Sequence, residues 1–232
     1  MRRLIERGMC ASLAVNTYAD IFERIARSNW RPFWAEIRIQ KEIDRILSNS
    51  PIIFIHIPKN AGTAINNRLY GFNPGHRSAL LYARLGGSAY SQAPSFAVLR
   101  DPVDRFLSGF DFLQAGGGRD VRIQKQVLER MSHIETLDQY ADYLERGRHD
   151  WLSVDTFARP QGWYVTDKCG QLIVSRLFRL GRKDGLEEFL SEIGVRNFDQ
   201  INPTKRKTFA LPKTLKSRVE KIYADDFKLF CD

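Results

Sequence analysis

A β-branched apolar run that stops at a proline constrains this chain more than any other feature. The stretch IFIHIPKNAGTAINNRLYG occupies positions 53–71. Positions 52–57 form a near-continuous run of isoleucine and phenylalanine, which predicts a strand buried on both faces. Pro58 ends the run, 58–63 form a loop, and a helix opens at Ala64 and runs to Tyr70. A buried strand feeding a loop and then a helix is the building unit of a parallel sheet. It also aims backbone N–H groups, and the positive end of the helix dipole, at the space above the strand's C-terminal end, where an anion is favoured.

The same grammar returns in FAVLRDPVDRFLSGFDF, positions 96–112. A strand over 95–99 ends at Arg100, and a helix over 103–113 follows a proline in its first turn. Two such units on neighbouring strands would face one cleft and suit a ligand with two separated phosphate-like groups.

The remaining elements fill in around them. Positions 4–47 read as two or three helices broken near Arg31-Pro32, with Trp30, Phe33 and Trp34 expected to cap the core. Further helices are expected over 78–85, 123–144, 186–193 and 211–230, and two short strands over 162–166 and 171–177. With 232 residues there is room for one globular domain. The expected architecture is α/β: a mostly parallel central sheet flanked by helices, with residues 1–50 as a helical segment packed on a main domain of 51–232.

Composition narrows the partners. Lys and Arg number 36 against 27 Asp and Glu, a net charge of +9 that favours anionic ligands. Cys10, Cys169 and Cys231 are far apart, and the four histidines form no metal-binding spacing. A disulfide framework and a metal site are therefore not expected, and a reducing, cytoplasmic setting is. The apolar part of the N-terminus is short and continues into an amphipathic pattern, so membrane contact is expected to be peripheral at most, at the inner surface.

The chemistry resides in the loops. Lys59 adds a mobile charge, Gly62 admits close approach to the backbone, and Thr63 places a hydroxyl near the helix start. A Walker loop puts its lysine after the glycines and a magnesium-holding Ser/Thr beside it. Here the lysine precedes the glycine, which weighs against a kinase, one of the alternatives. Arg100 can grip two oxygens of a phosphate, and Ser108 can donate to the same group. Equally, Arg100 and Asp101 could form a capping or ion-pair network. A non-catalytic basic protein that binds glycan or nucleic acid would account for the charge but not for two anion loops.

IHIPKNAGTA resembles the 5′-phosphosulfate loop of sulfotransferases that act on carbohydrates, and AVLRDPVDRFLSGF resembles their 3′-phosphate motif. FARPQGWY and the ending NPTKRK…YADDFKLF extend the similarity over about 52–230. The resemblance to this family, which includes Golgi-type polysaccharide sulfotransferases, implies a three-layer, P-loop-like fold. Its donor would be 3′-phosphoadenosine 5′-phosphosulfate (PAPS), with no metal and no nucleic-acid partner. By position, Lys59, Asn60, Ala61, Gly62, Thr63 and Ala64 would cradle the 5′-phosphosulfate, and Arg100 and Ser108 would hold the 3′-phosphate. Lys59 would also act on the bridging oxygen. His76 would be the general base toward a hydroxyl of a carbohydrate or glycan-like acceptor. His56, inside the strand, is expected to be structural.

Arg77 would bind an acidic acceptor or be solvated. Lys205, Arg206 and Lys207 would close over the nucleotide or form an ordinary charged surface. Gln161 and Trp163 would line the acceptor or adenine site. The chain departs from the pattern at Asn60, Ala61 and Ala64, where a hydroxyl donor is lost, and at Arg179, where relatives often carry glutamate.

Overall fold

The computed structural model describes residues 10, 12–13, 15–118, 122–195 and 211–231. Among them, three parallel strands form a sheet in the order β1 (Ile53–Ile55), β2 (Ser95–Leu99), β3 (Arg176–Arg179). Ile53 pairs with Ser95 and Ile55 with Ala97, while Phe96 faces Arg176 and Leu99 faces Arg179. Every residue of β1 and β2 is buried. Neither strand alternates because the sheet is covered on both faces.

Helices carry the chain between strands. Before β1 lie α1 (Tyr18–Arg27) and α2 (Phe33–Leu47), with Pro32 as the N-cap of α2, where the break was expected. Between β1 and β2 run α3 (Gly62–Tyr70), α4 (Ala79–Leu85) and α5 (Gly87–Gln92). Between β2 and β3 run α6 (Pro102–Gln114), α7 (Lys125–Met131), α8 (Leu137–Gly147) and the short α9 (Gly162–Val165). The chain closes with α10 (Leu186–Glu192), α11 (Lys213–Ile222) and α12 (Ala224–Cys231). The architecture is the expected α/β arrangement.

Two apolar clusters hold it. One surrounds the sheet and takes in Ile21 and Ile25 of α1, Ile39 and Ile43 of α2, and Phe96 of β2. The other joins α6, α8 and α11 through Phe106, Tyr140, Leu144 and Val219. Asp20 of α1 also pairs with Arg159 at 2.7 Å, both nearly solvent-free. Removing one partner would strand a buried charge, at a cost of about 3–5 kcal/mol.

Five expectations need correction. Residues 162–166 are not a strand. Gly162–Val165 is a helical turn, because the N–H groups of Gln161 and Gly162 both donate to the buried Asp226 carboxylate at 2.8 Å. The strand expected at 171–177 begins only at Arg176. The helix expected over 123–144 is two, separated before Thr136, whose hydroxyl and Gln139 form a capping box that restarts the helix. Trp30, Phe33 and Trp34 do not cap the core. They are 51%, 75% and 41% exposed, with Trp34 meeting Trp30 and Phe22 edge to face. The terminal helix is likewise interrupted, at Tyr223. No helix among the described residues is long and apolar enough to cross a membrane.

Candidate active site

β1 delivers the first loop to the mouth of a cleft. Lys59 and Ala61 both adopt left-handed backbone conformations, with φ of 72° and 61°. Each such non-glycine residue costs about 1–2 kcal/mol. Ala61 is the N-cap of α3, yet it makes no side-chain cap hydrogen bond, and the first turn of α3 holds no acidic residue. The leading N–H groups of this helix therefore lack the side-chain acceptor that usually satisfies them, and the dipole adds positive potential. Gly62, Thr63 and Ala64 line the cleft at that point. Gly62 is demanded from beneath as well: a Cβ there would lie 2.1 Å from His56 Cδ2.

The second loop is built differently. Asp101 Oδ1 accepts from the N–H groups of Val103 and Asp104 at 2.9 and 3.0 Å and so closes the start of α6. Arg100, just before the cap, donates through Nη1 to the Lys59 carbonyl at 3.2 Å. The buried Arg105 donates through Nε to the Pro58 carbonyl at 3.2 Å. A buried amide completes the tie. Gln161 Oε1 accepts from Asn60 Nδ2 at 2.7 Å and from Arg100 N at 2.9 Å, while its Nε2 donates to the Arg100 carbonyl at 2.8 Å. The loops are thus braced by three side chains, none of which sequence spacing connects.

Between the loops is a cavity of about 530 Å³, lined by Lys59, Gly62–Ala64, Arg100, Ser108, His56 and His76. Phe112, Thr17 and Arg122 also line it. Lys59 Nζ lies 4.1 Å from the centroid of the Phe112 ring, an attractive cation–π placement. His76 is half-buried, with Nδ1 3.2 Å from the His56 carbonyl oxygen. A carbonyl only accepts, so Nδ1 holds the proton and Nε2 keeps a lone pair. Burial pushes the His76 pKa down to about 4. The hydrogen bond to His56 acts the other way, and the Arg105, Arg159 and Arg77 cations add to the depression. The imidazole is therefore neutral at pH 7. Among the described residues no group of three or more His, Cys, Asp or Glu is placed to hold a metal ion.

The family model described as the sulfotransferase family matches residues 45–231. The chain belongs to the sulfotransferase family. The match takes in both loops, His76 and Gln161. Comparison with curated proteins and with solved structures returns no match.

The sulfotransferase brings together Lys59, Gly62–Ala64, Arg100, Ser108 and His76 of the residues its sequence singled out. Others it puts elsewhere. Asn60 is 1% exposed and turns its amide inward, donating to the Val98 carbonyl at 2.7 Å as well as to Gln161. Gln161 is fully buried and acts as the brace rather than as cleft lining. Arg77 pairs with both Glu42 oxygens at 3.2 and 3.3 Å, which commits its guanidinium to α2. Trp163 lies under Arg27, 3.7 Å from the ring centroid, and lines a separate cavity. Lys205 and Arg206, with Lys207, lie outside the described residues. Thr17, Phe112 and Arg122 were not anticipated. Nothing in their local sequence marks them, since each reaches the cleft only through the packing of its element.

Proposed function

We propose that this sulfotransferase moves the sulfuryl group of PAPS, in line, to a hydroxyl of a carbohydrate or glycan-like acceptor, with His76 as general base. The observation that carries this reading is one cleft in which an uncapped helix start, Lys59, Arg100, Ser108 and His76 converge. That donor set is cationic, hydroxylic and rich in backbone N–H, the chemistry a nucleotide with two anionic ends requires.

Bound there, PAPS would supply a sulfuryl group activated on a phosphate leaving group. The backbone from Lys59 to Ala64 binds the 5′ end, and Arg100 and Ser108 bind the 3′-phosphate. His76 Nε2 takes the hydroxyl proton as the acceptor oxygen bonds to sulfur. The Lys59 ammonium neutralises the charge that collects on the bridging oxygen as its bond to sulfur breaks. Phe112, Val127 and Phe157 give the cleft an apolar wall, beside which these interactions are stronger than in bulk water. As in phosphoryl transfer, positioning and charge stabilisation do most of the work. Thr17, Arg122 and Gln124 also line the cleft and offer hydroxyl, guanidinium and amide groups to a polyhydroxylated, anionic acceptor.

Titration calorimetry with 3′-phosphoadenosine 5′-phosphate, the desulfated donor, tests the donor site, and the absence of binding to folded protein refutes it. His76→Ala is expected to bind that nucleotide as the parent does and to lose about 10²–10⁴-fold in turnover. Retained turnover would show that another group is the base.

A further inference from the structure

His76 has a second histidine against it. The rings of His56 and His76 lie 4.2 Å apart, centroid to centroid, with planes 59° from one another. His56 is 3% exposed and stacks on Phe54 at 5.9 Å. It occupies the space under α3 that Gly62 leaves open.

Its protonation can be read from its neighbours. Asn66 Nδ2 lies 3.0 Å from His56 Nδ1 and donates to Asn73 Oδ1 at 2.9 Å. Gly75 N donates to the same Asn73 oxygen at 3.0 Å, so that atom is an acceptor. The Asn66 NH₂ group therefore sends one hydrogen to Asn73 and the other to His56 Nδ1, which must be a lone pair. His56 carries its proton on Nε2. His76 has the opposite assignment, its Nδ1–H held by the His56 carbonyl. Two neutral imidazoles of opposite tautomer touch in one cleft. Burial, and then His76, lower the His56 pKa well below its ordinary value, while its contact with the Asn73 side chain acts the other way.

We propose that His56 is a positioning residue for His76, held in its Nε2–H form by Asn66 and Asn73, and that this trio fixes the ring plane and tautomer of the base. The proposal rests on the reading of His76 as base. The Asn66–Asn73 link pins the backbone at Gly75, immediately before His76. The His56 carbonyl takes the His76 Nδ1–H, and the His56 ring sets the plane against which His76 rests. A charge on His56 would repel a proton arriving at His76, as the Arg77, Arg105 and Arg159 cations already do. A neutral His56 leaves His76 able to accept one.

Long-range ¹H–¹⁵N spectra of the intact protein at neutral pH read both tautomers directly. The expected result is an unprotonated Nδ1 on His56 and an unprotonated Nε2 on His76, and the reverse pattern on His56 overturns the proposal. Asn66→Ala is expected to leave His56 a mixture of tautomers and to lower kcat by about tenfold or more. Affinity for 3′-phosphoadenosine 5′-phosphate should stay within about twofold in the same variant, since the donor loop and Arg100 are untouched. His56→Phe keeps an aromatic ring to stack on Phe54, removes both ring nitrogens and should show the same split. Parental kcat in either folded variant overturns the proposal, and Asn66→Ala decides alone if His56→Phe does not fold. If His76→Ala abolishes turnover and these variants do not lower it, the base stands and the positioning role falls. If His76→Ala keeps turnover, the base itself is misassigned.

Discussion

The two strand–loop–helix units receive charge in opposite ways. The first leaves its helix start uncapped, holds Lys59 and Ala61 in left-handed backbone conformations, and presents N–H groups. The second closes its helix start with Asp101 and presents side chains, Arg100 and Ser108. On the proposed reading the first grips the end where charge moves and the second grips the end that only anchors. Fixed backbone dipoles need no reorganisation when charge develops, so strain is well placed there. An anchor needs a forked, two-point grip, which a guanidinium supplies without strain.

The sharpest way to break this contrast is Gly62→Ala. Its Cβ would enter the His56 ring, so either the loop or the ring must shift. Turnover is expected to fall by about 100-fold, the scale of a 1 Å misplacement at a reacting centre. Stability should fall by about 1–3 kcal/mol, as for overpacking. Adding His56→Ala should restore the melting temperature but not turnover. A Gly62→Ala protein that melts and turns over like the parent would show that the loop has room to spare.

Lys59→Gly separates strain from function. Glycine adopts positive φ freely, so the melting temperature should rise, by the equivalent of up to about 1 kcal/mol. Turnover should fall about 10²–10³-fold as the charge is lost. If both fall together, the backbone conformation at Lys59 is not a source of strain.

Arg100→Lys tests the other unit. It keeps the charge and loses the fork, so the affinity for 3′-phosphoadenosine 5′-phosphate should weaken about tenfold by calorimetry while kcat changes little. A large loss in kcat would erase the distinction between gripping and anchoring.

Acid should separate the units further. Burial holds the His76 pKa at about 4, below the ordinary 6.5. The folded state therefore takes up this proton later than the unfolded chain. Stability from neutral His76 is complete above about pH 6.5 and is lost as pH falls toward about 4. In the free protein, the NMR titration of His76 should show the low value and should move upward when 3′-phosphoadenosine 5′-phosphate fills the cleft, because an anion favours the imidazolium. An unmoved titration would place the nucleotide away from His76. The smallest effect is expected from Asp101→Ala, which removes a cap worth about 1 kcal/mol of stability, read from thermal melts.

Both units were legible in sequence because each writes its strand, its breaker and its helix consecutively. The apolar run before Pro58 and the Asp-Pro start of α6 need no distant partner to be read. The turn at Gly162–Val165 was not legible. Tryptophan, tyrosine and valine favour a strand locally, and only the carboxylate of Asp226, far along the chain, makes a helical turn of them. The same distance hid the role of Gln161. His56 was legible as buried, but its contact with His76 depends on how the loop after α3 folds back. Arg77 read equally well as a binding or a solvated cation until Glu42 came beside it.

Gln161 has a further consequence. Its amide oxygen uses both lone pairs, one on each loop, and its nitrogen returns a hydrogen to the second. The spacing of the two loops is thus held in part from the interior, by a side chain that never meets solvent and acts beside Arg100 and Arg105. On the proposed reading, changes at the rim alter what enters the cleft, while the distance between the two loops is held from beneath them.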